Sequence, residues 1–346
     1  MKRKSLKIIS LTVLILAASC DETETVVTNI VHRDGSVTRR IEMKSSKHNF
    51  SPDIIQVPLD STWIMKDSIS ISTENDTVWF RTAEKIFKNA DALNEDYNYD
   101  KGANRKIKRS AAFIKKFRWF NTFFTFSEKL DKSFLSGYPP EKFLSADELE
   151  FFYLPENISR DKLSGADSTK YKELKERTDL RSERYYWSTL VSEWIGEFSK
   201  LTEGRTGAEL SKEALKMQEN EIIDSLIKNQ GDTDSLIARV LGYEAYSKFR
   251  TEADSATSII NERLDANISF AGYTVIFTMP GKVTASNGFI MKEGEIMWPV
   301  RSEFFLSEPY VMHAESKMPN IWAWFVSGFF LLFVVTGALR KINKKG

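Results

Sequence analysis

The stretch "YTVIFTMPGKVTASNGFIMKEGEIMWPV", residues 273–300, decides the fold class. It opens with the aromatic and β-branched residues of a strand, and Pro280-Gly281, Asn287-Gly288 and Glu293-Gly294 follow at the spacing of turns in a meander. Strand character therefore returns near the end of the chain, having also begun it. Residues 26–31 and 37–43 flank Asp34-Gly35, a pair suited to a type I′ hairpin turn. Residues 68–72 and 77–81 alternate around Glu74, Asn75 and Asp76 and predict a second pair. Residues 111–130 are too aromatic for an exposed helix. They are expected to form one long strand buried on both faces, with a helix as the alternative.

The middle of the chain has another period. After Pro139-Pro140, residues Trp187, Leu190, Val191, Trp194, Ile195, Phe198 and Leu201 fall at helical spacing, and further helices are expected over 208–228 and 233–265. The tryptophans of that stripe could line a pocket, but such a stripe is ordinarily core. Residues 155–183 are charged and poor in apolar groups, which fits a solvated linker or an exposed helix. Strands on both sides of a helical block predict an α+β fold, an antiparallel β domain with a large helical insertion. The expected division is a β-rich segment over 20–138, the insertion over 139–267 and a β-rich segment over 268–319 that completes the first.

Both ends read as membrane signals. Residues 1–7 are basic, 8–18 are an uncharged, mainly apolar run, and Ala17, Ala18 and Ser19 precede Cys20, the layout of a cleaved signal peptide over 1–19. Those eleven residues rise only about 16 Å, well short of a bilayer core of about 30 Å. The segment 17–20 resembles the lipobox of bacterial lipoproteins, which implies lipidation of Cys20 once the leader is removed. As the single cysteine of the chain, Cys20 forms no intramolecular disulfide and no Cys-rich zinc site. At the other end, Ile321 to Leu339 carries no charge and is followed by four basic residues, with Trp322 and Trp324 at its start. That is the pattern of a transmembrane helix over 320–340 with a cytoplasmic tail over 341–346. The implied location is the inner (cytoplasmic) membrane, with the body in the periplasm. First and last strands are then expected to be neighbours, so that both anchors meet one leaflet.

Charge and composition exclude some functions. The chain of 346 residues has a formal net charge of +1, but eight of its basic residues lie in the two termini, leaving the body near −7. That balance argues against nucleic acid, whose phosphates require clustered Lys and Arg. His32, His48 and His313 lie in no metal-binding spacing, and no nucleophile elbow, P-loop or dinucleotide fingerprint is present. No catalytic residue, metal or cofactor is expected.

The run Met279-Pro280-Gly281-Lys282-Val283, followed by Ser286-Asn287-Gly288, Gly294 and Trp298, resembles a pattern in the LppM-like domain of bacterial lipoproteins. The resemblance covers about 25 residues plus the layout of the termini. It implies an envelope domain of α+β type, with an activity related to lipid, and it brings no catalytic residue. Read from their own chemistry, the Gly, Pro and Asn residues are turn formers and Trp298 a core anchor.

Asp followed by Ser or Thr and then by an aliphatic residue or Thr recurs at Asp60, Asp67, Asp76, Asp167, Asp224, Asp234 and Asp254. The pattern resembles the acceptor motif of a periplasmic O-glycosylation system, which makes Ser61, Ser68, Thr77, Ser168, Ser225, Ser235 and Ser255 candidate acceptors. The expected function is a doubly anchored, non-enzymatic envelope lipoprotein that binds a lipid or a partner protein close to the membrane. The alternatives are an envelope hydrolase or transferase with an unrecognised carboxylate site, and a structural subunit of a membrane complex.

Overall fold

The computed structural model describes residues 23–48, 50, 59–71, 77–99, 107–205, 210–228, 241–268, 270, 272–291 and 294–343. The signal peptide, Cys20 and Ser235 lie outside the described residues. Strands β1 (Glu24–Val31), β2 (Val37–Ser45), β3 (Ile64–Ile71) and β4 (Thr77–Phe87) come first, then helix α1 (Ala90–Tyr99) and strands β5 (Arg109–Phe117) and β6 (Asn121–Leu130). A helical block follows: α2 (Ala146–Phe152), α3 (Glu156–Ser164), α4 (Ser168–Leu201), α5 (Lys212–Met217), α6 (Glu219–Lys228), α7 (Tyr243–Lys248) and α8 (Arg250–Ile268). The chain then returns to strands β7 (Tyr273–Thr278), β8 (Lys282–Ser286), β9 (Phe289–Ile290), β10 (Ile296–Val300) and β11 (Tyr310–Pro319), and ends in helix α9 (Ile321–Asn343). The fold is α+β, dominated by antiparallel pairing, with the helices inserted between β6 and β7.

Two sheets share one core. The larger runs β3-β4-β2-β1-β7-β10-β9 and the smaller β5-β6-β11-β8. Alternation along each strand sends Val27, Ile41, Val275 and Phe277 from the larger sheet, and Phe124, Phe126, Met312 and Ala314 from the smaller, into a common cluster. Phe277 packs edge-on to Phe126 at 4.9 Å between ring centroids and lies 4.5 Å from Trp298. Each such ring withdrawn from water contributes about 2–3 kcal/mol. One edge of the smaller sheet is covered: the Asn94 side chain of α1 pairs with both backbone groups of Ala111, donating to its carbonyl at 2.9 Å and accepting from its N–H at 2.6 Å. That contact removes a free stretch of strand edge.

The opening stretch does not form a meander. β7 pairs with β10, and parallel with β1, while β8 leaves for the other sheet and pairs with β11. The crossing point is Gly281, whose φ of +81° and close approach to the Lys317 carbonyl, 2.4 Å from where a Cβ would stand, leave room for glycine alone. Asn287 ties the two sheets together. Its Oδ1 accepts from Trp298 Nε1 at 3.0 Å and from the His313 N–H at 2.8 Å, and its Nδ2 donates to the Val311 carbonyl at 2.6 Å.

Two further expectations are corrected, and one of two alternatives is settled. Residues 111–130 are two antiparallel strands joined by a turn at Arg118-Trp119-Phe120-Asn121, and their outer face is exposed. Residues 155–183 take the exposed-helix alternative, as α3 and the first half of α4, with Leu174 and Thr178 as that half's buried contacts. Lys, Glu and Arg favour helix once a few apolar groups find a partner. β1 and β11 are not neighbours, because each sheet takes one of them. The Trp187 to Phe198 stripe is core: it packs with Phe134, Leu215, Ile223, Phe249 and Ala256 in a second cluster.

Candidate membrane-facing site

Helix α9 is long and apolar enough to cross a membrane over Ile321–Lys341, about 31 Å at 1.5 Å per residue. Within that span only Ala323 is buried by the protein. What distinguishes this helix is its attachment. β11 runs straight into it through Asn320, and the turn between β5 and β6 lies alongside its first two turns.

Asn320 is the clamp. Its N–H donates to the Phe120 carbonyl at 2.9 Å, and its Nδ2 donates to the carbonyls of Arg118 at 2.7 Å and Trp119 at 3.2 Å. Its Oδ1 accepts from the Thr122 hydroxyl at 2.8 Å. Both side chains are buried, so these bonds replace water that cannot reach them. The tight turn lacks Gly, Pro or Asn at its centre and is held instead from a residue that is remote in sequence.

Aromatic rings complete the joint. Phe117 stacks on Trp322, Trp119 meets Trp322 edge-on at 5.2 Å, and Phe120 lies 4.4 Å from Trp324. Trp119 also donates its indole N–H to Ser327 Oγ at 2.9 Å. Ser327 is six residues inside the helix, about 9 Å along its axis. Despite these contacts Phe117 is 56 % and Trp119 47 % exposed. The Trp119 ring, with an apolar body and a polar N–H, favours the headgroup level of a bilayer, which is where a membrane around α9 would place it.

Two buried polar clusters could have been active sites. In the first, Arg39 and Glu128 face each other at 3.4 Å between the sheets, with Tyr97 Oη donating to Glu128 Oε1 at 2.7 Å and Arg39 donating to Tyr97 Oη. Burial works against the Arg39 charge, and the Glu128 carboxylate overcomes it, holding the guanidinium above its ordinary value. Burial likewise drives the Tyr97 hydroxyl well up. Both charged side chains are wholly enclosed, so the pair fixes one sheet upon the other.

The second is a serine and a lysine. Lys216 Nζ lies 2.5 Å from Ser192 Oγ, 3.2 Å from Tyr138 Oη and 3.3 Å from Glu219. Burial, helped by Glu219, pushes the Tyr138 hydroxyl up to about 12. An activated serine would need its proton taken by the amine and its oxygen open to a substrate. Here Ser192 is fully buried, its hydroxyl donates to the Ser136 carbonyl at 2.5 Å, and Lys216 is an ion-pair partner of Glu219. The chemistry available to this group is the tethering of residues 136–138 to the helices.

The sequence-derived candidates scatter. Ser61 lies in the turn where Asp60 accepts from both the N–H and the hydroxyl of Thr62. Ser68 is exposed on β3 beside Asp67, which pairs with Arg81 through two bonds of 2.7 Å, and Thr77 begins β4. Ser168, Ser225 and Ser255 lie within α4, α6 and α8. Of the histidines, His32 meets Thr38, His48 lies near Asp67 and Trp79, and His313 near Glu315. Among the described residues no three His, Cys, Asp or Glu are grouped to hold a metal. The residues that sequence reasoning missed are Trp119, Phe120 and Asn320. Their signal was the run Phe117-Arg118-Trp119-Phe120-Asn121, aromatic and basic yet without any catalytic pattern.

No protein-family model and no curated protein matches the chain. Among solved structures, the NMR structure of the folded domain of LppM from Mycobacterium tuberculosis aligns over 86 % of this chain and 91 % of its own, with 7 % identity and a TM-score of 0.26, a weak fold resemblance.

Proposed function

We propose that the protein is a non-enzymatic, membrane-held binding protein of the cell envelope. In this reading α9 spans the inner membrane, the body stands on its outer side, and Cys20 carries a second, lipid anchor. The body engages a lipid or a partner protein at the bilayer surface. The observation that carries the reading is the clamp at Asn320, which locks the tip of the β5–β6 hairpin along the first turns of α9. A spanning helix alone would leave the body free to swing. A helix bound to a hairpin tip of exposed aromatic rings fixes its posture and dips that tip into the interface.

The test uses the full chain with Cys20→Ser, reconstituted in phosphatidylcholine bilayers and labelled with a fluorophore at Phe120→Cys or Lys129→Cys. Lys129 lies nine residues along β6, about 30 Å from the tip. Phospholipids carrying a quencher near the headgroup should dim the label at position 120 and spare the one at 129. Equal quenching at both positions, or none at 120, overturns the reading.

A further inference from the structure

The cross-strand register of the smaller sheet brings distant residues into one row. Lys116 on β5 faces Phe123 on β6, Phe123 faces Lys317 on β11, and Lys317 faces Lys282 on β8. Residues directly opposite point to the same side of a sheet, and this is the side away from the core, since Phe124 and Ser316 on the other side are buried. The three lysines are exposed, and Phe123 between them is 39 % exposed.

We propose that this row, Lys116, Phe123, Lys317 and Lys282, is a seat for the anionic headgroups of membrane phospholipids. The inference rests on the membrane-facing reading above and names its ligand class.

Charge is the first argument. Like charges directly opposite each other on neighbouring strands destabilise a sheet, yet Lys317 and Lys282 are such a pair. Among the described residues none of the three lysines has a carboxylate partner. An anion set between them offsets the repulsion. The neighbouring sequence has one sign, because the described residues 107–127 contain five Lys or Arg and no Asp or Glu. The basic zone ends one row further up, where Glu315 stands between Thr125 and Ala285. A body that is acidic overall thus carries a local basic surface here.

Position is the second. Lys317 precedes Ile321, the start of α9, by four residues, about 13 Å along the strand. Long lysine stems let the ammonium groups reach down to the headgroup layer from that height. The ammonium is a compact, mobile charge suited to a phosphodiester, and the exposed Phe123 ring between the lysines offers an apolar surface to the glycerol and upper acyl chain. No soluble ligand needs that ring or that height.

The experiment is native mass spectrometry of the purified full chain in detergent micelles, titrated with phosphatidylglycerol or phosphatidylcholine. The wild type should bind phosphatidylglycerol about tenfold or more tightly than phosphatidylcholine, because lysines near an anionic surface are drawn to it. The variant K116Q/K282Q/K317Q should lose that preference, whereas K129Q/K132Q, at the far end of β6, should keep it. Equal binding of the two lipids, an unchanged preference in the triple variant, or displacement by an equal concentration of glycerol phosphate would each overturn the proposal. Surface lysines exchanged for glutamine leave the core intact, and retained hydrogen-exchange protection in β6 and β11 checks this. A tip that inserts without any lipid preference would remove the lysine row and leave the membrane-facing reading standing. A tip that stays in water would remove that reading itself.

Discussion

The Asn320 side chain donates to the Arg118 carbonyl at 2.7 Å across 202 positions of sequence, and that bond decides how the body meets helix α9. Asn320→Ala leaves the carbonyls of Arg118 and Trp119 and the Thr122 hydroxyl without their partner in a buried place. The expected cost is about 2–3 kcal/mol. The more telling readout is local: hydrogen exchange over residues 117–123 should accelerate while β1 and β7 stay protected. Uniform exchange would mean that the turn stands without the clamp.

Removing one member of the Arg39–Glu128 pair strands the other in the core. Arg39→Met and Glu128→Leu should each cost about 3–5 kcal/mol in denaturant titrations, and the double variant less than their sum. Simple additivity would show that the two charges do not sense one another.

Gly281→Ala should destabilise more than Gly294→Ala. Both have positive φ, +81° and +79°, which costs an alanine about 1–2 kcal/mol, but only at Gly281 would the new Cβ strike backbone, at 2.4 Å from the Lys317 carbonyl. Nothing lies within 4 Å of the Cβ position at Gly294. Equal melting temperatures for the two variants would contradict the crossing geometry.

Glu148 supplies a pH dependence. Burial raises its pKa, but bonds from Ser145 and Arg181 outweigh this and hold the carboxyl below its ordinary value of about 4.3. A depressed folded pKa gives stability that is complete above the unfolded value and is lost as pH falls through the lower, folded one. Wild type should therefore lose stability more steeply than Glu148→Gln below about pH 4.3. Parallel stability curves from pH 6 to pH 3, on a scale where one pKa unit is about 1.4 kcal/mol, would exclude the effect.

What was legible in the sequence was what local chemistry writes. Asp34-Gly35 marks the β1–β2 hairpin, Gly35 indeed taking a φ of +96°, and the uncharged run after Asn320 marks α9. The α+β class followed from the change of period at Pro139-Pro140. The turn at Trp119-Phe120 was not legible because its stabilising partner, Asn320, comes from the far end of the chain. The passage of β8 into the other sheet was hidden for a similar reason. Pro280-Gly281 announces a turn, but only the carbonyl of Lys317 beside it shows which strand receives the chain. The first half of α4 lacked an apolar stripe, since its few buried contacts are spread too thinly for the period to appear. The aromatic residues at the α9 joint were visible as letters, yet aromatic residues in a strand read first as core.

The parallel pairing of β1 with β7 imposes an order on folding. Val26 must find Thr274, and Leu130 must find Tyr310, so neither sheet closes until nearly all of the body has left the ribosome. Contacts of such long sequence separation make for slow folding, because the loop between them must close before they contribute anything. Until then the β1–β2 hairpin offers an unpaired apolar edge to its surroundings. A chain delivered N-terminus first through a membrane would carry that edge across while its partner strands were still unmade, and would need a holding chaperone on the receiving side.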